Sequence, residues 1–178
     1  MIEQLIIEGL AIGACYGLFG VAVAIIYKTS EVVNFGQGEM GMISTFVAYH
    51  ILAQYGLPFW LAFLITIVFA ILLGMFIEFF FMRPAKDPTV LGLIIITLGA
   101  EMLLMGLASW KWGAEQKDFT FPLSVQELHE PIPGFVLNEW SMGVFILTGL
   151  IMVMLFLFFR YSNLGIAMRA TQQNQNAA

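Results

Sequence analysis

Residues 5–27 carry a single charge, Glu8, and no protein interior of ordinary size could absorb so long an apolar run. At about 1.5 Å per residue a helix of that length crosses a hydrocarbon core of about 30 Å. Three further runs have the same character: residues 59–82 with Glu78 near the far end, residues 90–108 with Thr97, Gly99 and Glu101, and residues 142–159. Composition agrees, since 60% of the 178 residues are hydrophobic and 11% are charged. Water-soluble domains carry about 25% charged residues, so the bilayer is the solvent this chain is built for. A net charge of -5 with no run of Lys or Arg gives no footprint for nucleic acid. Cys15 is the sole cysteine, which rules out a disulfide or thiolate cluster within the chain. The first residues lack a positive n-region and the run behind them is too long for a signal-peptide core, so it reads as a retained span.

Between the first two long runs lies Asn34-Phe35-Gly36-Gln37-Gly38-Glu39-Met40-Gly41, an amide, a carboxylate and three glycines in apolar surroundings. The apolar stretch after it, residues 40–53, is too short to cross alone, because a span needs roughly 17 to 25 residues. Counting from residue 32 supplies the length and draws the polar stretch into the membrane or to its edge. Irregular backbone at that depth is tolerated only where protein or a water-filled cavity satisfies its polar groups. Asn34, Gln37, Gly38 and Glu39, with Thr97 on a later span, are therefore the candidates for lining a pathway. Asn34 and Gln37 also have the spacing of a helix cap and its partner.

The expected fold is an all-α integral membrane protein with about five transmembrane helices, one broken or re-entrant at the polar stretch. The chain reads as one domain, with spans near 5–27, 32–53, 59–82, 90–108 and 142–159, an aqueous loop over 109–140 and a polar tail over 160–178. An N-terminus on the outside puts Lys28, Arg83, Lys86, Arg160 and Arg169 on the cytoplasmic side and only Lys111 and Lys117 opposite. It also gathers Trp60, Trp110, Trp112 and Trp140 at the outer interface, where amphipathic rings are favoured. Gly9, Gly13 and Gly17 recur every four residues and form a seam for close helix packing. Glu78 and Arg83 are expected to form a local ion pair or to snorkel. His50 stands without a second ligand at metal spacing, so no metal is expected. Neither a catalytic pair nor a phosphate-binding loop is present, which argues against an enzyme and against ATP hydrolysis by this chain, and no cofactor is implied.

Several motifs together resemble those of the permease subunits of branched-chain amino acid ABC importers, in particular the shorter of the two paired permeases. Gly13-Ala14-Cys15-Tyr16-Gly17-Leu18 is similar to the family's G-x-x-Y-A-L, and Asn34 to Glu39 to its N-F-A-H-G-E. Glu78 with Arg83-Pro84, Ile96-Thr97-Leu98-Gly99, Trp112-Gly113 and the stretch from Ser162 to Ala170 resemble E-x-x-x-x-R-P, I-T-x-G, W-G and T-x-x-G-x-A-x-R-A in the family's order. Asn176-Ala177-Ala178 falls where the family has E-A-A. The resemblance implies a permease of the bacterial inner membrane, embedded in membrane lipid, that moves branched-chain amino acids. Its implied partners are cytoplasmic ABC ATPases, a second permease subunit and a periplasmic substrate-binding protein. It further implies that Gly165, Arg169, Ala170, Asn176, Ala177 and Ala178 form the ATPase coupling segment. Since the family continues with further spans, the chain is expected to be incomplete at its C-terminus. A permease for urea, short amides or sugars is the alternative within transport, and a non-conducting membrane scaffold is the alternative outside it.

Overall fold

The computed structural model describes residues 2–30, 32–85, 89–113, 115, 117, 128–132, 135–163 and 165. Five α-helices of nineteen residues or more are present among them: α1 (Ile2–Ser30), α2 (Gln37–Tyr55), α3 (Phe59–Ile77), α4 (Val90–Trp112) and α5 (Glu139–Tyr161). α1, α4, α5 and the continuous helical rod Phe59–Met82 are each long and apolar enough to cross a membrane. Their outward faces are rich in Leu, Ile, Phe and Met, the surface expected of helices solvated by lipid. The chain is thus an all-α, multi-pass membrane protein. α2 is the exception in composition: its 19 residues include Glu39, Ser44, Thr45, His50 and Gln54.

The chain divides into two compact units. In the one formed by residues 30–122, α2 packs against both α3 and α4. The core there consists of Ile43, Ile77, Ala100, Leu104 and Ala108, with Met40, Phe46, Phe69, Leu73, Phe81 and Trp112 around it. Alanines on α4 let the helices approach, and Phe46 stacks on Trp112 with ring centroids 5.2 Å apart. α2 ends at Gly56 with a φ of 59°, a left-handed cap whose N–H donates to the Leu52 carbonyl. That conformation suits glycine and stops the helix before Pro58.

The other unit holds α1, α5 and an antiparallel hairpin, β1 (Leu128–Ile132) with β2 (Phe135–Asn138). β2 leads into α5 with no residue between them.

Several boundaries differ from the sequence reading. Tyr27 to Ser30 is the last turn of α1 rather than a polar turn, because the Thr29 hydroxyl folds back onto the Ile25 and Ile26 carbonyls and stays compatible with a helix. α4 continues through Ser109 and Lys111 to Trp112, the packing of Trp112 on Phe46 outweighing the polar composition of that turn. Glu139 and Trp140 belong to α5. The rod beginning with α3 changes pitch over Glu78–Met82, a π-helical segment closed by the Arg83 N–H donating to the Glu78 carbonyl at 2.8 Å. All four tryptophans lie in the first or last turn of their helices.

Candidate functional site

The polar stretch breaks the helical path as its glycines and amide suggest. Val32 to Gly36 is non-helical, with a turn in which the Gln37 N–H donates to the Asn34 carbonyl at 3.3 Å, and α2 starts at Gln37. The cap is Gly36, which makes no side-chain cap bond, so the expected Asn34 cap is not formed. Asn34 instead directs its Nδ2 to the Met40 sulfur at 3.8 Å. Its side chain is occupied one turn further along α2, which leaves the first N–H groups of the helix uncapped by it.

The break is seated against the middle of α4. Thr97 is fully buried, and its hydroxyl donates to the Ile94 carbonyl at 2.9 Å while also reaching the Val33 carbonyl at 3.4 Å. A methyl group placed at Gly36 would lie 3.4 Å from both the Thr97 carbonyl oxygen and the Glu101 nitrogen. Thr97 and Glu101 stand seven and eleven residues beyond Val90 on α4, so the contact falls about 10 to 16 Å along a helix of about 34 Å. α3 gives an independent measure. Met40 reaches Gly74, fifteen residues or about 22 Å beyond Phe59 and about 12 Å short of Met82. Both rulers put the break within the apolar length of the neighbouring helices, well away from their ends.

Two polar atoms there, Asn34 Oδ1 and Gln37 Oε1, are shielded from solvent and have no hydrogen-bond partner among the described residues. Glu39, half-buried in the first turn of α2, and Glu101, half-buried on α4, add carboxylates. A negative charge in the first turn is favoured by the helix dipole. Gly38 is exposed, with nothing within 4 Å of where its side chain would be. The structure therefore sets Asn34, Gln37, Gly38 and Glu39 around Gly36, the residue seated on α4, and buries Thr97 with its hydroxyl reaching the Val33 carbonyl.

Two features of this region were not in the expected site. Gly36 and the Glu101 backbone share with Val33 and Thr97 the contact between the break and α4; the four-residue spacing of Thr97 and Glu101 on one face was the available signal. The π segment was the second, and its trace is the five-residue separation of Glu78 from Arg83, the spacing of a π-type bond. Among the described residues these two make no ion pair, and the Arg83 guanidinium lies over the Phe79 ring at 5.7 Å instead. His50 meets Tyr55 edge to face at 6.1 Å, and no group of three metal-ligating side chains occurs among the described residues.

Elsewhere the candidates are apart from this region. Gly9, Gly13 and Gly17 are exposed on α1, and a methyl group at any of them would meet nothing within 4 Å. Gly165 is buried, and a methyl group there would come within 2.5 Å of the Phe158 carbonyl oxygen and 2.7 Å of the Phe159 Cα. Arg169, Ala170, Asn176, Ala177 and Ala178 lie outside the described residues.

Four helices long and apolar enough to cross a membrane, with a polar break seated on one of them, define a multi-pass membrane protein. Residues 5–178 match the family described as branched-chain amino acid transport system / permease component, and the chain belongs to that family. It is 26% identical over 181 residues to the high-affinity branched-chain amino acid transport system permease protein BraD of Pseudomonas aeruginosa, covering 96% of this chain and 59% of BraD. It is 27% identical over 185 residues to the permease LivH of Escherichia coli K12, covering 98% and 60%. A probable branched-chain amino acid transport permease, LivH of Methanocaldococcus jannaschii, is 26% identical over 186 residues, covering 99% and 57%. The chain thus spans about 60% of the length of the curated relatives it matches. No solved structure matches it.

Proposed function

We propose that this chain is a permease subunit of an ATP-binding-cassette importer that carries branched-chain amino acids across the bacterial inner membrane. The observation that carries the reading is the family match over nearly the whole chain, joined to a polar break held inside the apolar length of α3 and α4. Asn34, Gln37, Gly38 and Glu39 line the path, and Thr97 holds the break in place. Cytoplasmic ATPases, a second permease subunit and a periplasmic binding protein complete the transporter. The ATPases dock at Gly165, Arg169, Ala170, Asn176, Ala177 and Ala178, and the exposed seam of Gly9, Gly13 and Gly17 receives a helix of another subunit. The N-terminus faces outward, with Lys28, Arg83 and Arg160 inside. This chain performs no covalent chemistry; ATP shifts it between outward and inward states through its partners' differential affinity for them.

The test is reconstitution with the second permease, ATPases and binding protein in liposomes, followed by ATP-dependent uptake of labelled leucine, urea and ribose. Leucine uptake that requires ATP is expected. Uptake of urea or ribose in its place would reassign the substrate, and no uptake of any of them, beside an active LivH control, would remove the reading.

A further inference from the structure

We infer that the break is a receptor for a primary ammonium group, with Asn34 Oδ1 and Gln37 Oε1 as its acceptors. On the permease reading, on which the identity of the ligand rests, that group is the α-ammonium of the carried amino acid. Both oxygens are shielded from solvent, lie within one turn of chain, and have no donor among the described residues. Two side-chain donors nearby are already committed: the Thr97 hydroxyl to Ile94 and Val33, and the Asn34 Nδ2 to the Met40 sulfur. That last contact also sets the orientation of the amide, because a thioether accepts a hydrogen bond but cannot donate one to Oδ1.

Electrostatics decide the sign of the ligand. α2 carries Glu39 in its first turn, and α4 carries Glu101, whose backbone nitrogen lies beside Gly36. On α3 and α4, which pack against α2, Arg83 lies over Phe79 beyond the end of α3 and Lys111 is in the last turn of α4, while Lys28, six residues before Asn34, is in the last turn of α1. A carboxylate placed against these two oxygens would meet acceptors only, and its place is at the uncapped N–H groups of the first turn of α2, where the helix dipole is positive. An ammonium brings three donors and a positive charge to the two oxygens. Gly38, exposed and without a side chain, leaves the approach open.

The experiment uses the full chain in lipid nanodiscs and three probes that share one carbon skeleton: leucine, 3-methylbutylamine, which lacks the carboxylate, and 4-methyl-2-oxopentanoate, which lacks the ammonium. Calorimetry is expected to show binding of the first two, with the oxo acid weaker by about tenfold or more. Asn34→Leu and Gln37→Leu should each weaken amine binding by about tenfold, whereas Asn34→Asp and Gln37→Glu, which keep an acceptor, should hold or tighten it. Asn34→Asp loses the Nδ2 contact with Met40 as fully as Asn34→Leu does, so a merely structural Asn34 would make the two variants behave alike. Circular dichroism and thermal melting establish that each variant is folded. Equal binding of the oxo acid and leucine, indifference of amine binding to both Leu variants, or no amine binding by the folded wild-type chain at millimolar concentration would overturn the inference. Amine binding without leucine uptake in the reconstituted transporter would overturn the permease reading and leave the receptor standing, and the converse would remove the receptor alone.

Discussion

Thr97 and Gly36 determine how the break meets α4, and they do so by different physics. The Thr97 hydroxyl ties the Val33 carbonyl to α4, and Thr97 is fully buried. Thr97→Val keeps the shape and removes the donor, so it should destabilise the chain by about 1 to 2 kcal/mol, read as a lower thermal midpoint in detergent. Thr97→Ser should restore most of the loss. Gly36 is a steric matter. Its φ of -72° is open to any residue, and an added methyl group would make ordinary contacts at 3.4 to 3.5 Å with Thr97, Glu101 and Asn34. Gly36→Ala should change stability by no more than about 0.5 kcal/mol. Gly36→Leu should cost about 1 to 3 kcal/mol through overpacking, measured in the same melts. The sequence exposed Thr97 as a polar group at depth but not its partner. A hydroxyl on a span can line a path or tether a backbone, and only the 64-residue separation from Val33, closed by folding, decides between them.

At the scale of elements, the long helices were legible because charges are absent from them, and the broken span because residues 40–53 fall short of the membrane thickness. What stayed hidden depends on contacts between elements. α4 gains its last turn from the stacking of Trp112 on Phe46, and no periodicity along α4 reports a partner on α2. The π segment was masked by a uniform run of Phe that satisfies either pitch. Its extra residue makes a specific test available. Deleting Phe80 should return the ladder to i→i+4 bonding and turn Arg83 by about 100° relative to α3, away from the Phe79 ring. Accessibility of a cysteine at position 83, compared with and without the deletion, reads that rotation. Gly165 supplies the corresponding test at the end of α5. The atoms an added methyl group would strike are backbone atoms of Phe158 and Phe159, which cannot rotate aside. Gly165→Ala should therefore disturb the last turn, and the Ser162 amide, bonded to the Phe158 carbonyl at 3.0 Å, should exchange its hydrogen faster.

For the whole molecule the orientation proposed above rests on the cations and the positive-inside rule. Lys28 is in the last turn of α1, Arg83 follows the π segment and Arg160 is in the last turn of α5, the ends of the first, third and fifth helices. The only cysteine, Cys15, is exposed on α1, so Cys15→Ser provides a cysteine-free background. In that background Ser109→Cys should react with a membrane-impermeant maleimide added to intact spheroplasts, and Asn163→Cys should react only after the membrane is opened. The reverse pattern would invert the topology and place Arg83 outside.

The depth of the break also has an electrical consequence. With the N-terminus outside, as proposed, a charge held where Gly36 meets Thr97 and Glu101 would have crossed about 60% of the membrane field on its way in. The full potential is worth about 2.3 kcal/mol per elementary charge for each 100 mV, so that share contributes about 1.4 kcal/mol. A cation arriving from outside a negatively polarised cell would be held about tenfold more tightly at 100 mV than at none, and occupancy of the break would follow the energised state of the membrane.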